Sequence, residues 1–551
     1  MIRSTPQQAT LAQTSATTAV LATVRSDHQT LCLAVPSSQS VRQALDTTDL
    51  RVRAACGGLG SCGACLIQTV SGDFNPPTLA EHQKLLPEDL ANGMRLACQL
   101  RPRTNCELYL EHPAPHSEWK SLDASQLYQA SANAAIADHV YGVAVDLGTT
   151  HIRLSLWNRQ SGRRIASRYS INPQVACGAD VLTRLDAERL GNQETIPIGQ
   201  QARSAIINGV RDILSRDMGE ITPILTDMGK VLIVGNTAML SLLCGNHDDS
   251  LYQPENWQLP ITCQPNDSHA WQQAWRMPHA DIEIAQPLAG FIGSDLLADL
   301  LATDITEQTQ PTLLADFGTN TEIALWDGRE LLVTSVPGGP AFEGVGMRNG
   351  LSAETGAICK VSRLGETFQL QTLGDAPVRG FCASGFIDAI ALLVETKQLK
   401  PSGRFSQPQP ETGYLLQADK RKSAIFASDI DIFQRAKAST AAAMSQLLCL
   451  ANLTINDLNT LWICGSFGQH LDLNSAYRVG LLPPVTANRV RLLPNASLAG
   501  CEKLLLNPAS QSQLHNIVER AKVINLGGVF AYENRFIDNL RLQPMPITEC
   551  D

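Results

Sequence analysis

Four cysteines constrain this chain more than any other feature. Cys56, Cys62 and Cys65 lie within the stretch Arg53–Leu66 (RAACGGLGSCGACL), and Cys98 follows after a gap of 32 residues. The pattern C-x5-C-x2-C…C is one residue longer in its first loop than the C-x4-C-x2-C…C of plant-type [2Fe–2S] centres. Three thiolates on one tight loop and a distant fourth can surround two irons, so any fold must bring Cys98 back to the loop. Glycines 57, 58, 60 and 63 let the backbone wrap closely, with N–H groups free to point at cluster sulfurs. Zinc fits less well, because Cys98 lacks the close second cysteine that zinc sites pair with C-x2-C. Cys62 and Cys65 alone would suit a redox dithiol. Gly58-Leu-Gly60-Ser-Cys-Gly63 also matches G-x-G-x-x-G, but no hydrophobic strand precedes it and cysteines fill it, so a dinucleotide loop is rejected.

A length of 551 residues implies several domains, and 44% hydrophobic with 17% charged residues describes a globular chain with sizeable cores. The net charge of −10 argues against nucleic acid or an anionic membrane as the main partner. Fifteen cysteines, an odd total, suit a reducing compartment. The first 17 residues are polar and no run of 18 apolar residues occurs, so a cytoplasmic location is expected.

Residues 18–112 read as one small domain. Ala19–Val35 contains two β-rich runs separated by a polar turn, Ser40–Asp46 suits a short capped helix, and Cys65–Val70 suits a strand. A helix capped at Thr78 or a neighbour follows, and Glu107–Glu111 supplies a last strand. This order resembles the β-grasp fold of ferredoxins, and the longer cysteine loop is similar to that of adrenodoxin-like members. Residues 113–139, rich in Pro, Ser, Ala and Gln, read as a linker able to let a tethered cluster travel.

Residues 140–545 carry a weak internal repeat, with lobes about 140–310 and 311–545. Tyr141–Ser170 and Pro311–Val336 each contain a hydrophobic strand, an Asp, a Gly-Thr turn, a strand ending Leu-Trp, a polar turn and a third strand. The duplication predicts a two-lobed α/β domain, making the whole chain a multidomain α+β and α/β protein. Each repeat is also a candidate phosphate site. Asp146 and Asp316 stand where a strand can present a carboxylate to hydrated Mg²⁺. Gly148, Thr149 and Thr150, and their counterparts Gly318, Thr319 and Asn320, can cradle phosphate oxygens through hydroxyls and backbone N–H groups. A third segment, Leu461–Gly468, breaks from a strand into Gly465-Ser466-Phe-Gly468, suited to flat contact with adenine and ribose. Gly338, Gly339 and Glu343 belong to a further glycine-rich turn. Glu343 or Glu322 could orient an attacking water, although backbone N–H groups are the expected partners of Glu322. Ser384 to Asp388 fit either a nucleotide contact or a helix start. His151 should point away from the turn, and Trp157 and Trp326 read as core. No G-x4-G-K-[ST] occurs, so nothing supports P-loop chemistry.

The two Asp hairpins and the Gly465 turn resemble the phosphate and adenosine motifs of the superfamily of acetate and sugar kinases, heat-shock chaperone ATPases and actin. Further stretches narrow this: those beginning at Asn172 (NPQVACGADVLTRL), Val234 (VGNTAML), Leu288 (LAGFIGSD), Gly338 (GGPAFEGVGM), Cys382 (CASGFIDAIA) and Gly465 (GSFGQHLDLNSAYRVGLLP). Joined to the N-terminal cluster domain, they look like the reductive activators of corrinoid proteins. The resemblance implies an ATP-hydrolysing iron–sulfur activase that binds ATP and Mg²⁺. It would pass one electron from its [2Fe–2S] cluster to the Co(II) corrinoid protein of a methyltransferase system. An upstream reductase and a homodimer follow from the same resemblance. It also leads to an expected small domain between linker and nucleotide domain, for which the 27 residues between His112 and Val140 leave no room. Other outcomes weighed against this are an ATP-driven donor to a different low-potential enzyme, a small-molecule kinase with a redox-sensing ferredoxin module, and a nucleotide-sensing scaffold.

Overall fold

The computed structural model describes residues 19–546 apart from 28, 38, 46–47, 49, 53–59, 61–62, 64, 112, 114–118, 123–127, 129–138, 179, 191–196, 219–220, 246–248, 343, 345, 352, 366, 410–412, 418–420, 466–469 and 528. The chain divides into two compact units, residues 1–120 with 214–220 and residues 121–213 with 221–551. Most of the linker expected at 113–139 lies outside the described residues.

The first unit starts with the hairpin expected from its alternating residues. Strands β1 (Ala19–Arg25) and β2 (Thr30–Pro36) pair antiparallel from Ala19↔Pro36 to Arg25↔Thr30. Helix α1 (Val41–Leu45), strand β3 (Leu66–Ser71), helix α2 (Leu79–Lys84), and strands β4 (Met94–Leu96) and β5 (Cys106–Tyr109) follow. The sheet order is β2-β1-β5-β3-β4, so the last strand inserts at the centre, parallel to β1. The central placement of the last strand has no sequence-local signal, because its partners β1 and β3 lie 84 and 39 residues upstream at Ala22↔Cys106 and Thr69↔Leu108. The core gathers Val24, Val35, Leu45, Ile67, Leu96, Leu100 and Leu108.

In the second unit, β6 (Tyr141–Leu147), β7 (His151–Asn158) and β8 (Arg163–Ile171) form an antiparallel meander. Helix α3 (Ile198–Ile213) covers part of it. Strand β9 (Met228–Gly235), helix α4 (Thr237–Cys244) and strand β10 (Asp281–Ile284) follow, with β9 parallel to β6 and β10 parallel to β9. Helix α5 (Ser294–Ala302) then leads to the second meander: β11 (Thr312–Phe317), β12 (Thr321–Trp326) and β13 (Leu331–Val336). The remaining elements used below are β14 (Ala357–Leu364), β15 (Thr367–Thr372), β16 (Gly380–Phe381), α6 (Ala383–Glu395), α7 (Ala427–Leu450), β17 (Thr460–Cys464), α8 (Leu473–Val479), β18 (Val490–Leu493) and α9 (Ala496–Leu506).

The strand orders β10-β9-β6-β7-β8 and β18-β17-β11-β12-β13 are the same design twice: an antiparallel meander whose first strand is flanked by two parallel strands. The duplication expected from sequence is therefore present in topology. Helices α5 and α9 pack against each other within a core that takes Ala144, Trp157 and Leu232 from one sheet and Leu314, Ala324 and Trp326 from the other. Trp157 and Trp326 occupy equivalent positions and are buried, as expected. Trp157 donates its indole N–H to Ser155 and Glu502, and Trp326 to the carbonyl of Gln308.

Candidate functional site: two phosphate hairpins and a cysteine pair

Each hairpin is closed by the N–H of its glycine, across a four-residue loop in the first and a three-residue loop in the second. The Gly148 N–H donates to the His151 carbonyl at 3.0 Å and the Gly318 N–H to the Asn320 carbonyl at 3.0 Å. The tips meet: Thr150 Oγ1 lies 3.2 Å from Thr319 Oγ1 across the two repeats. Residues 169 positions apart are thus brought into hydrogen-bond contact. Thr149, Thr319 and both aspartates are buried.

The aspartates stand at equivalent places on the first strands, but the loops differ by one residue and they meet different partners. Asp146 pairs across the hairpin with Arg153, whose Nη1 donates to Asp146 Oδ2 at 3.2 Å. Asp316 pairs with Glu322. Glu322 accepts from the Ser335 hydroxyl at 3.3 Å and from its own backbone N–H, so the backbone partner expected from sequence is joined by a side chain. Two further carboxylates come from α5. Asp295, in its first turn, feels the charges of Asp146 and Asp316, and the Ser497 hydroxyl donates to Asp299 at 3.0 Å. Burial, followed by the neighbouring Asp316, raises the Asp299 carboxyl well above the carboxylate range.

Five carboxylates therefore crowd one cleft beside a single described guanidinium, that of Arg153. Burial, followed by the charges of Asp146 and Asp316, pushes Asp295 up to about 8. Burial and the charge of Asp146 push Asp316 up to about 6, against the lowering hydrogen bond from Asp299. Burial, then Asp295 and Asp316, hold Glu322 well above the carboxylate range. Burial also raises Asp146, against the pull of Arg153. Asp316 Oδ1, Asp299 Oδ2 and Asn320 Nδ2 are buried without a hydrogen-bond partner. Buried polar atoms ordinarily find partners. Unpartnered carboxylate oxygens in an acidic cleft fit a hard divalent cation, and the unpartnered Asn320 donor fits an anion.

The third segment closes on the same point. Cys464 ends β17 opposite Asp316, and Gly465 follows with φ +81°. A Cβ there would lie 2.6 Å from Asp316 Oδ1 and 2.5 Å from the Phe317 carbonyl, so only glycine lets the turn approach the second hairpin. Ser466, Gly468 and Glu343 lie outside the described residues. Gly338 begins its turn against α7, its Cβ position 3.1 Å from Thr440 Oγ1, and Gly339 opens the short helix Gly339–Phe342. Ser384 stands in the first turn of α6, and Asp388 on the same helix accepts from the Val361 N–H of β14. His151 packs beside Tyr169, and burial pushes its imidazole down to about 3.

Sequence reasoning missed Arg153, Asp295 and Asp299. Arg153 was legible in principle, because a hairpin with its tip at 148–151 places 153 opposite 146. Asp295 and Asp299 approach only through tertiary packing of α5.

In the first unit, Cys65 and Cys98 are buried and hydrogen-bonded to each other. That bond and the Gln99 amide, 3.6 Å from Cys98 Sγ, outweigh burial and bring the Cys98 thiol down to about 6. A thiol that readily gives up its proton suits ligation of iron. The positions are set by a buried ion pair. Glu81 on α2 accepts from Arg95 at 2.8 and 3.1 Å, from the Leu96 N–H at 3.0 Å, and from the Thr78 N–H at 2.8 Å in a capping box. It thereby ties α2 to the strand that leads to Cys98. Gly60 has φ +78°, with a Cβ position 2.9 Å from Ala80 on the same helix. Cys56 and Cys62 lie outside the described residues.

Comparison with known proteins agrees with this division. The family described as the 2Fe-2S iron-sulfur cluster binding domain matches residues 24–103. The RACo middle region matches residues 141–308, and the C-terminal domain of RACo, the ASKHA domain, matches residues 310–550. The stretch matched as the middle region is the lobe that carries Asp146. The corrinoid activation enzyme RamQ of Eubacterium limosum is 27% identical over 403 residues, 67% of this chain and 64% of that protein. A Co(II) methylated amine-specific corrinoid protein reductase of Methanosarcina barkeri is 26% identical over 450 residues, 75% of this chain and 79% of that one. Among solved structures, a reductive activator for corrinoid, iron-sulfur protein superposes with a TM-score of 0.61 at 22% identity, over 95% of this chain and 99% of the other. That likeness establishes a shared fold.

Proposed function

We propose for this chain, whose residues match the 2Fe-2S cluster binding domain, the RACo middle region and the C-terminal ASKHA domain of RACo in that order, an ATP-dependent one-electron transfer to a corrinoid protein whose cobalt has been oxidised to Co(II). The observation that carries the ATP half is the meeting of Thr150 and Thr319 over an acidic cleft. The electron half rests on the Cys65–Cys98 contact.

Asp146 and Asp316 would hold Mg²⁺, with Asp295 and Glu322 adding charge around its water shell. The turns Gly148–Thr150 and Gly318–Asn320 bind phosphate oxygens, and Arg153 neutralises charge opposite Asp146. Gly465, with Ser466 and Gly468 beyond it, lets the backbone lie against the adenosine. Glu322 and Glu343 are the candidates to orient the attacking water. Cys56, Cys62, Cys65 and Cys98 would hold a [2Fe–2S] cluster, which supplies a one-electron carrier near about −400 mV on the scale of plant-type centres. Reducing Co(II) requires a lower potential. Each deficit of about 60 mV costs about 1.4 kcal/mol for one electron, and ATP hydrolysis offsets it. A nucleotide can do so only by binding two states of the lobes with different affinity.

The partner is a corrinoid protein of a methyltransferase system, with an upstream reductase refilling the cluster. The chain acts as a homodimer in the cytoplasm. Among the described residues, no helix is long and apolar enough to cross a membrane. Phosphate release measured with and without a Co(II) corrinoid protein tests the assignment. The expected result is hydrolysis that rises with the corrinoid protein and leaves free phosphate. Transfer of the γ-phosphate to a small molecule would instead identify a kinase.

A further inference from the structure

Cys359 and Cys382 have no part in the nucleotide or cluster chemistry, yet the fold sets them side by side. Strands β14 and β16 run parallel with Ala357 opposite Gly380 and Ile358 opposite Phe381. The next residues in register are Cys359 and Cys382. The ladder continues that far, since the Cys382 N–H donates to the Ile358 carbonyl at 3.1 Å. Laterally paired residues lie about 4.8 Å apart and project to the same face. That spacing falls within the Cα separations of about 4.4–6.8 Å that disulfides span.

Three further observations single the pair out. Together with Ala357 the two cysteines form their own small apolar cluster, covered only by the partly buried Leu351 and Leu373. The register of β14 against β15 shifts between Ile358 and Lys360, so Cys359 is the residue at a β-bulge, a device that re-aims a side chain. Cys382 caps α6, and its Sγ donates to the Ile358 carbonyl at 3.2 Å, on the β14 side of the helix start. The thiols are 5% and 4% exposed, and each donates to no more than a backbone carbonyl or a hydroxyl.

We propose that Cys359 and Cys382 are a redox-active dithiol that closes to an intramolecular disulfide when the chain meets a low-molecular-weight disulfide oxidant. One cysteine attacks a sulfur of the oxidant, forming a mixed disulfide and releasing the first thiol. The second cysteine then attacks the mixed disulfide at the protein sulfur, releasing the second thiol. Two cysteine thiols are oxidised, one oxidant disulfide is reduced, and the two thiol protons leave with the two released thiols. The bond would staple the first turn of α6 to β14. Helix α6 in turn packs on α8, whose Ser475 hydrogen-bonds to Asp388, and α8 follows the Gly465 turn.

The test treats the full native chain with oxidised glutathione, blocks remaining thiols with iodoacetamide, and maps peptides by mass spectrometry without reduction. A peptide joining Cys359 to Cys382 is expected as the dominant link that appears on oxidation, apart from the cluster cysteines and the disulfide of Cys449, and dithiothreitol should remove it. In Cys359→Ser and Cys382→Ser the remaining cysteine should be recovered alkylated or glutathionylated. Treatment in urea should abolish the preference for this pair, because it depends on strand register. Recovery of both cysteines unlinked from the native chain would overturn the proposal, as would an equal yield of the link in urea.

Discussion

At the residue scale, the clustered carboxylates are a store of electrostatic repulsion that the proposed cation would relieve. Asp316 lies in contact with Asp299 and within the field of Asp146, and its Oδ1 has no partner. Asp316→Asn should remove a cation ligand while easing repulsion in the free protein. The expected outcome is at least about 100-fold weaker Mg²⁺-dependent hydrolysis, the scale seen when metal-site contacts are lost, with an unchanged or higher melting temperature without nucleotide. Phosphate-release and thermal-melting assays check both halves together. The raised carboxyls also set a pH dependence. Between the ordinary carboxylate range and about 8, folded Asp295 holds a proton that the unfolded chain has released. Stability therefore falls as pH rises through that window, by about 1.4 kcal/mol per pH unit for each such proton. Melting curves from pH 5.5 to 8.5 should show this decline without Mg²⁺ and a flatter profile with saturating Mg²⁺ and nucleotide. A rise in stability toward pH 8.5 without Mg²⁺ would contradict the electrostatic account. The residues that were legible in sequence are those fixed by local spacing: the cysteine loop and the Asp-x-Gly-Thr turns. Arg153 needed hairpin register, and Asp295, Asp299 and the Cys359–Cys382 adjacency needed contacts between distant elements, which spacing does not encode.

At the scale of elements, two joints decide whether the sites form. The first is the Gly465 turn. A side chain there faces both φ +81° and Asp316 Oδ1 at 2.6 Å. Gly465→Ala should cost about 1–2 kcal/mol of backbone strain and push the turn away from the second hairpin. Nucleotide affinity should fall, read by titration calorimetry, while the ferredoxin unit keeps its visible spectrum. The second joint is the Glu81–Arg95 pair. Removing one partner of a buried pair leaves the other charge uncompensated, typically costing about 3–5 kcal/mol. Glu81→Ala also removes the capping box of α2 and the acceptor for the Leu96 N–H. The expected result is poor iron retention after reconstitution, measured by iron and acid-labile sulfide content, with nucleotide binding intact. The capping box itself was legible, since Thr78 and Glu81 stand at the required spacing. The central placement of β5 was not, because a strand joining the middle of a sheet leaves no local mark.

At the scale of the whole molecule, a one-electron carrier and a nucleotide cleft occupy one chain, and the family matches follow that order from residue 24 to residue 550. Duplication explains the cleft: two copies of one meander, packed on the shared α5–α9 layer, set equivalent Asp-Gly-Thr turns against each other. Sequence repetition made this architecture legible well before any contact was known, whereas the choice of partner lies in surfaces that no local motif encodes. The central claim is that nucleotide turnover drives an otherwise unfavourable electron transfer. The direct measurement is anaerobic formation of Co(I), followed by its absorption, after the prereduced full chain is mixed with a Co(II) corrinoid protein in the presence or absence of Mg·ATP. The account predicts Co(I) formation that requires Mg·ATP and is lost in Asp316→Asn; equal Co(I) formation without nucleotide would contradict it.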